Sequence, residues 1–397
     1  MAIYQFLIAI RAGGPNQAAM QLTNAEGETT SHIQGLFNRT IRFMSEGIRP
    51  VFVFDGKPPQ FKSGELKKRR EKRKKAEAEL KVAIEENNTE AQEKQQKRLV
   101  VAGKKENEDC QKLLQLMGVP VIMAPCEAEA QAASMCKAGK VYAVGTEDMD
   151  ALTFATPVLL RKMTFANASK SDIQVMDYKK AVEGLGLTHD QFVDLCILLG
   201  CDYCDSIGGV GPKTALKLIR EHKCIEEILK NIGDKKYRVP DSWIPNEKRM
   251  EEKAKQKKEK EEELYDTDDE KEGKVKKADD EDQEDEEEDN LVPVYVEARK
   301  LFNDHEVETD LELKWKPCQA EELTKFLVDQ MGFNPERVKA SIEKLQKAYK
   351  ATSKPQLRMD SFFKAKAAPN AATVAAKRKA AKQTAKGSNK KTKGKKR

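Results

Sequence analysis

Apolar residues recur at helical spacing over residues 3–12 and 31–46, with a Gly- and Asn-rich stretch between them. The spacing predicts two helices. Pro50-Val-Phe-Val-Phe then breaks that period. It is short, β-branched and aromatic, and it stops at Asp55-Gly-Lys-Pro-Pro, which predicts a buried strand and a forced turn. Residues 107–117 return to helical spacing, with Leu113, Leu114, Leu116 and Met117 toward the core. Val119-Pro-Val-Ile-Met reads as a strand, a helix opens at the Glu127 cluster, and Lys140-Val-Tyr-Ala-Val and Val158-Leu-Leu-Arg read as further strands. A helix over 190–199 carries Phe192, Val193, Leu195, Cys196, Leu198 and Leu199 and ends at Gly200; another starts at Thr214. Strands alternating with helices predict an α/β fold, a mainly parallel sheet flanked by helices.

The polar stretches are as patterned as the apolar ones. From Lys62 to Lys75, nine of fourteen residues are Lys or Arg, and the sequence after them is rich in helix formers with little to bury. Such a helix is exposed, or orders on a ligand. Only Glu65 and Glu71 offset the nine bases, so an isolated helix repels itself, and phosphate relieves that repulsion. Residues 246–290 are Lys/Glu-rich, and Asp279 to Asp289 is acidic at ten of eleven positions; disorder is expected there. Folded sequence resumes near Val292 and runs to about Tyr349, and after Phe363 come thirteen Lys or Arg and no acid, again a disordered pattern. The net charge of +6 therefore hides segregated blocks, for whose basic members nucleic acid is the natural partner.

Eight cysteines are scattered, and only Cys201 and Cys204 have C-x-x-C spacing. With no second pair, reduced structural thiols in an intracellular protein are the reading, ahead of a zinc site. The histidines do not cluster. No run of about 18 apolar residues is present, so no membrane span is expected. The N-terminus lacks the basic start and small-residue cleavage site of a signal peptide.

Candidate chemistry sits in six carboxylates: Asp55, Glu127 and Glu129, Asp148 and Asp150, and Asp202. Each lies where an apolar run stops or a helix is about to start. Ligands of a parallel sheet gather beyond the carboxyl ends of its strands, where Asp55 and the Asp148/Asp150 pair are placed. In an extended segment Asp148 and Asp150 would face one side. Taken singly, each acid reads as a helix cap or a solvated loop residue. Gathered without a cation, the set would raise its members' pKa values; as a set it reads as a site for a magnesium pair, and hence phosphodiester chemistry. Ile207-Gly-Gly-Val-Gly-Pro-Lys reads either as a tight turn or as a hairpin whose glycines let backbone approach a phosphate, with Pro212 opening a helix whose N-terminus attracts the anion. Gln356-Leu-Arg-Met-Asp-Ser-Phe-Phe, between a folded region and the tail, reads as a docking peptide or as a C-terminal packing helix.

Five stretches together resemble the eukaryotic flap endonuclease family of structure-specific 5′ nucleases: Val53-Phe-Asp-Gly-Lys-Pro-Pro, Pro125-Cys-Glu-Ala-Glu-Ala, Ala143-Val-Gly-Thr-Glu-Asp-Met-Asp, Leu199-Gly-Cys-Asp-Tyr-Cys and Gly209-Val-Gly-Pro-Lys. The resemblance runs from Ile3 to about Phe363. It implies a 5′-nuclease (PIN-like) α/β fold with a helical arch and a helix–hairpin–helix-type DNA-binding region. The implied parts are an N-terminal nuclease region with the start of the arch (1–75), the arch (76–106), an internal nuclease region with the glycine hairpin (107–245), the disordered acidic insertion (246–290), a C-terminal helical region (291–349), a clamp-docking peptide (350–363) and a disordered basic tail (364–397).

The resemblance further implies two Mg²⁺ per chain, with Asp55, Glu127 and Glu129 near one and Asp148, Asp150 and Asp202 near the other. Lys62 and Arg69, on the arch, would approach the scissile phosphate, and Tyr4 would stack on a flap base. Arg11, Arg39, Glu127, Gly200 and Asp202 would lie along DNA. The hairpin, with Ser206, Ile207, Gly209, Val210, Gly211 and Lys213, would grip the downstream duplex around a monovalent cation. Gln356, Met359, Phe362 and Phe363 would dock on a sliding clamp (PCNA), one monomeric nuclease per subunit of the trimeric ring. The implied activity is 5′-flap cutting and 5′→3′ exonuclease trimming of flap and nicked duplex DNA, in Okazaki-fragment maturation and long-patch base excision repair. The basic tail implies a nuclear address (nucleoplasm and nucleolus), with the mitochondrion as a second compartment.

Two departures bear on that reading. The family pattern begins with a further segment holding a Gly start, a core strand and one more metal-binding Asp, so a misassigned start is expected. The acidic insertion replaces a short connection. The rival reading is a catalytically impaired DNA- and clamp-binding protein.

Overall fold

The computed structural model describes residues 7, 11–12, 20–21, 23–24, 27–57, 59, 63–100, 102–163, 172–233, 237–245 and 292–352. The chain divides into a unit of Met1–Lys350 and a unit of Ala351–Arg397. The helix expected over 3–12 does not run its length. Leu7 is helical, but Arg11–Ala12 (β1) pairs antiparallel with Met20–Gln21 (β2), Arg11 opposite Gln21. Gly13-Gly14-Pro15 follows β1 at once, and that tripeptide favours reversal over helix.

Helix α1 (Ser31–Ser45) buries Ile33, Phe37, Ile41 and Met44, one stripe at spacings of three and four. Strand β3 (Phe52–Phe54) is half-buried rather than buried. A helical hairpin follows, α2 (Ser63–Glu85) and α3 (Thr89–Leu99), whose turn is closed by Asn88 accepting from the Ala91 N–H at 3.0 Å. The hairpin buries small side chains, Ala76 and Ala83, together with Gln95. Gln95 donates to Glu79 at 2.7 Å and Gln92 to the Ala83 carbonyl at 2.9 Å. Polar contacts therefore replace the apolar seam that this sequence lacks. Helix α4 (Lys104–Leu116) begins earlier than its apolar pattern, because Glu106 reaches back to the Gly103 N–H at 2.8 Å.

Strand β4 (Val121–Met123) pairs parallel with β3, Val53 opposite Ile122. After α5 (Ala128–Lys137) comes β5, reduced to Val144–Gly145, parallel to β6 (Val158–Arg161). Between β5 and β6 lies a single helical turn, α6 (Asp150–Thr153). Strand β7 (Gln174–Asp177) runs antiparallel along the whole of β6. Among the described residues the strands thus form a parallel pair β3–β4 and a separate mixed sheet β5–β6–β7 beside the small β1–β2 ribbon. The α/β architecture with parallel pairing stands, but in pieces, with an antiparallel edge. Strand β7 escaped the sequence reading because it is short and mostly outward, Val175 being 63% exposed.

The rest is helical: α7 (Tyr178–Leu185), α8 (His189–Leu199), α9 (Pro212–His222), α10 (Ile225–Asn231), α11 (Val294–Asn303), α12 (Ala320–Lys325), which continues as a wider turn over Phe326–Gln330, and α13 (Pro335–Thr352). Three cores result among the described residues. One joins α1, α4, α12 and α13 through Ile33, Phe37, Leu113, Leu114, Phe326 and Leu345. A second gathers Phe154, just after α6, with Ile197, Ile207, Trp243 and Phe302 from α8 to α11 and the loops between them, and a third packs Leu152, Leu159, Val182 and Phe192. A strap over 304–317 fastens across α5. Buried Gln131 trades two 2.8 Å hydrogen bonds with the Glu308 backbone, and Trp315 donates to the Pro50 carbonyl at 2.9 Å. No described helix is long and apolar enough to cross a membrane.

Candidate active site

The backbone pairing of β3 with β4 continues past both strand ends. The Gly56 N–H donates to the Cys126 carbonyl at 2.7 Å, and that of Lys57 to Pro125 at 3.2 Å. Position 56 admits only glycine, since a Cβ there would lie 2.0 Å from the Ala124 carbonyl oxygen. This zipper brings Asp55 over the start of α5, where its Oδ1 accepts from the Ala128 N–H at 2.9 Å. Glu127 is the N-cap residue of α5 and Glu129 lies in its first turn. Three acids thus share the electropositive end of one helix.

Glu129 reports the consequence. Burial, then the charges of Asp55 and Asp148, push its carboxyl up to about 7. Asp148 belongs to the turn beyond β5. Its N–H donates to Thr146 Oγ1 and its Oδ1 accepts from the Asp150 N–H, both at 3.1 Å. The extended geometry expected for Asp148 and Asp150 is therefore corrected: Asp150 opens a helical turn, and Asp148 accepts from its N–H. Tyr203, 5% exposed, donates its hydroxyl to Glu127 Oε2. Burial, then Glu127, then Asp150 raise the Tyr203 pKa strongly, so that hydroxyl stays protonated. Asp202 pairs with Arg69 at 2.9 Å, and next to it Asp205 pairs with Lys68. Helix α2 is thereby tied to the loop after α8. Tyr203, Lys68 and Asp205 were not singled out from the sequence. The large polar ring directly after Asp202 was the available signal.

Hard oxygen donors of like charge gathered at one helix end suit a divalent cation. Among the described residues no three of these side chains converge closely enough to enclose an ion by themselves. Magnesium usually retains several waters and binds through one or two carboxylates, so this spacing and the raised Glu129 pKa fit such an ion.

In the hairpin, Gly208 and Arg238 exchange backbone hydrogen bonds at 2.8 and 3.0 Å. Gly209 takes φ +86, a left-handed conformation that glycine adopts freely. Gly211 caps α9, Pro212 is its first residue, and exposed Lys213 shares a groove with Lys217 and Arg220. Gly200 ends α8 at φ +95 against Ser206. Arg39 departs from a simple surface role, since its half-buried guanidinium donates to the Met163 carbonyl, and burial lowers its pKa. Within the loop after α8, the Cys201 and Cys204 sulfurs lie 3.5 Å apart. Tyr4, Lys62, the Arg11 side chain and the docking residues Gln356, Met359, Phe362 and Phe363 lie outside the described residues.

Residues 1–76 match the XPG N-terminal domain and residues 118–202 the XPG I-region. The first contains Asp55 and the second the other five acids. Flap endonuclease 1 of the diatom Phaeodactylum tricornutum is 67% identical over 395 residues, covering 99% of this chain and 91% of its own. Flap endonuclease 1 of Nematostella vectensis is 45% identical, covering 93% and 83%. Among solved structures, flap endonuclease-1 from Methanococcus jannaschii superposes with a TM-score of 0.59 at 30% identity, covering 88% of this chain and 90% of that one. Two-thirds identity along almost the whole chain, with both XPG regions enclosing the six acids, makes this protein a member of the flap endonuclease family.

Proposed function

We propose that this protein cuts DNA at 5′ flaps near their junction with duplex and trims 5′ ends more slowly, in Okazaki-fragment maturation and long-patch base excision repair. The carrying observation is the gathering of acids at one helix end, with the Glu129 pKa pushed up to about 7 by burial and then by Asp55 and Asp148. Asp55, Glu127 and Glu129 would hold one Mg²⁺, and Asp148, Asp150 and Asp202 a second. When bound, such a pair supplies charge stabilisation and an activated water for in-line phosphodiester hydrolysis.

The chain's own groups prepare that chemistry. Tyr203 fixes the orientation of the Glu127 carboxylate. Arg69, with Lys62, offsets the charge developing on the scissile phosphate; to do so Arg69 exchanges its Asp202 partner for substrate. The hairpin and the N-terminus of α9 bind duplex backbone through N–H groups, independently of sequence. Helices α2 and α3 form the arch over the flap. The peptide Gln356–Phe363 docks on a sliding clamp, one nuclease per subunit, and the basic tail directs the protein to the nucleus.

The test is cleavage of matched labelled substrates: 5′-flap, nicked duplex, blunt duplex and single strand, with Mg²⁺ or with chelator. The flap should be cut fastest, at its base, and only with the metal. Equal rates on single strand and flap, or flap cutting that persists in chelator, would overturn this reading. DNA binding without any cutting would favour the rival binding module.

A further inference from the structure

The two cysteines of the loop after α8 enclose Asp202 and Tyr203, and their sulfurs already stand 3.5 Å apart. Both residues are only partly buried, which leaves a route for an oxidant as small as hydrogen peroxide. The loop is folded tightly on itself, because Gly200 backs onto Ser206 closely enough that an added Cβ would come within 3.3 Å of the Ser206 Cβ. What the pair encloses matters as much as its proximity. Asp202 holds Arg69 of α2, and Tyr203 holds Glu127 at the start of α5. One short loop thus ties the arch base to the acid cluster, and its ends carry a pair of thiols.

We propose that Cys201 and Cys204 are a reversible oxidation site, forming an intraloop disulfide with a peroxide and thereby suppressing flap cutting; the second half of this statement rests on the nuclease reading above. The step balances as two thiols plus one peroxide giving one disulfide and two waters. One sulfur attacks a peroxide oxygen, forming S–O as O–O breaks and releasing the first water. The second sulfur displaces the oxygen of that sulfenic acid, forming S–S and releasing the second water. Two electrons pass from the thiols to the peroxide. A dithiol reverses the bond by exchange. A disulfide bond measures about 2.05 Å, so the sulfurs must close by roughly 1.5 Å. The loss of cutting requires that part of this movement pass to the backbone of Asp202 and Tyr203, the two residues between the sulfurs. A misplacement of ~1 Å costs a catalytic arrangement up to ~10²-fold.

The experiment uses the full chain. Reduced protein is treated with hydrogen peroxide, cleared with catalase, alkylated with N-ethylmaleimide, and divided between peptide mass spectrometry and a flap-cleavage assay. The expected result is a Cys201–Cys204 crosslink, flap cutting lowered at least tenfold, and recovery in dithiothreitol. Cys201→Ser and Cys204→Ser should each cut at the reduced wild-type rate and resist peroxide. Three results would overturn the proposal: no crosslink while other thiols oxidise, a crosslinked protein that cuts at the full rate, or serine variants inactivated as the wild type is. A reduced protein that cuts no flap would instead count against the nuclease reading, and the mass spectrum would still decide whether the disulfide forms.

Discussion

Glu129 shows how single side chains record the purpose of the site. Its carboxyl is raised from 4.5 to about 7 by burial and by two like charges. Between those values the folded metal-free protein holds a proton that the unfolded chain has released. Stability therefore falls as pH rises through that window, and the loss is complete above it. Denaturation in chelator on either side of the window should show lower stability on the alkaline side. Glu129→Gln should remove most of this dependence, and Mg²⁺ should flatten it by neutralising the cluster. A Glu129→Gln variant with the wild-type pH dependence would place the excess charge elsewhere. The positions of the acids were legible in the sequence, because each lies where an apolar run stops or a helix is about to start. Their relations were not. That Asp148 accepts from the Asp150 N–H, and that Tyr203 steadies Glu127, depends on loops that no hydrophobic period describes.

Among elements, α8, α10 and α11 are joined by one guanidinium. Arg299 of α11 binds Asp194 of α8 at 2.7 and 3.0 Å and Glu226 of α10 at 2.8 and 3.1 Å. Asp194, 3% exposed, also accepts from the Ile225 N–H at 3.1 Å. Burial raises the Asp194 pKa, an effect opposed by Arg299. Arg299→Ala leaves this carboxylate buried without its partner, which should cost ~3–5 kcal/mol in urea unfolding; a loss within ~0.5 kcal/mol would be that of an ordinary surface position. Because α8 leads directly into Gly200 and Asp202, the same change should weaken flap cutting. Elements with a strong apolar stripe, α1, α4 and α8, were readable within a few residues. Of the elements missed or misread, β1, β2 and β7 are two to four residues long, too short for a hydrophobic period to show. The parallel sheet was readable as alternation, but its division into two pieces follows from which strands meet.

At the scale of the molecule, the acid cluster and α2 are linked by one side chain after another: Asp55 with α5, Glu127 with Tyr203, Asp202 with Arg69. The acidic stretch at 246–290 and the basic tail lie outside the described residues, and the docking peptide with them, so their roles rest on sequence alone. The most direct measurement is single-turnover cleavage of a labelled 5′ flap in Mg²⁺ by the wild type and by Asp148→Ala, with binding of the same flap followed in parallel. If strand-end carboxylates assemble one divalent-ion site, the wild type cuts at the flap base, while the variant binds DNA but loses at least ~10²-fold in rate, the scale on which losing electrostatic stabilisation acts. A variant that cuts as fast as the wild type would contradict the assignment of these acids to one catalytic site.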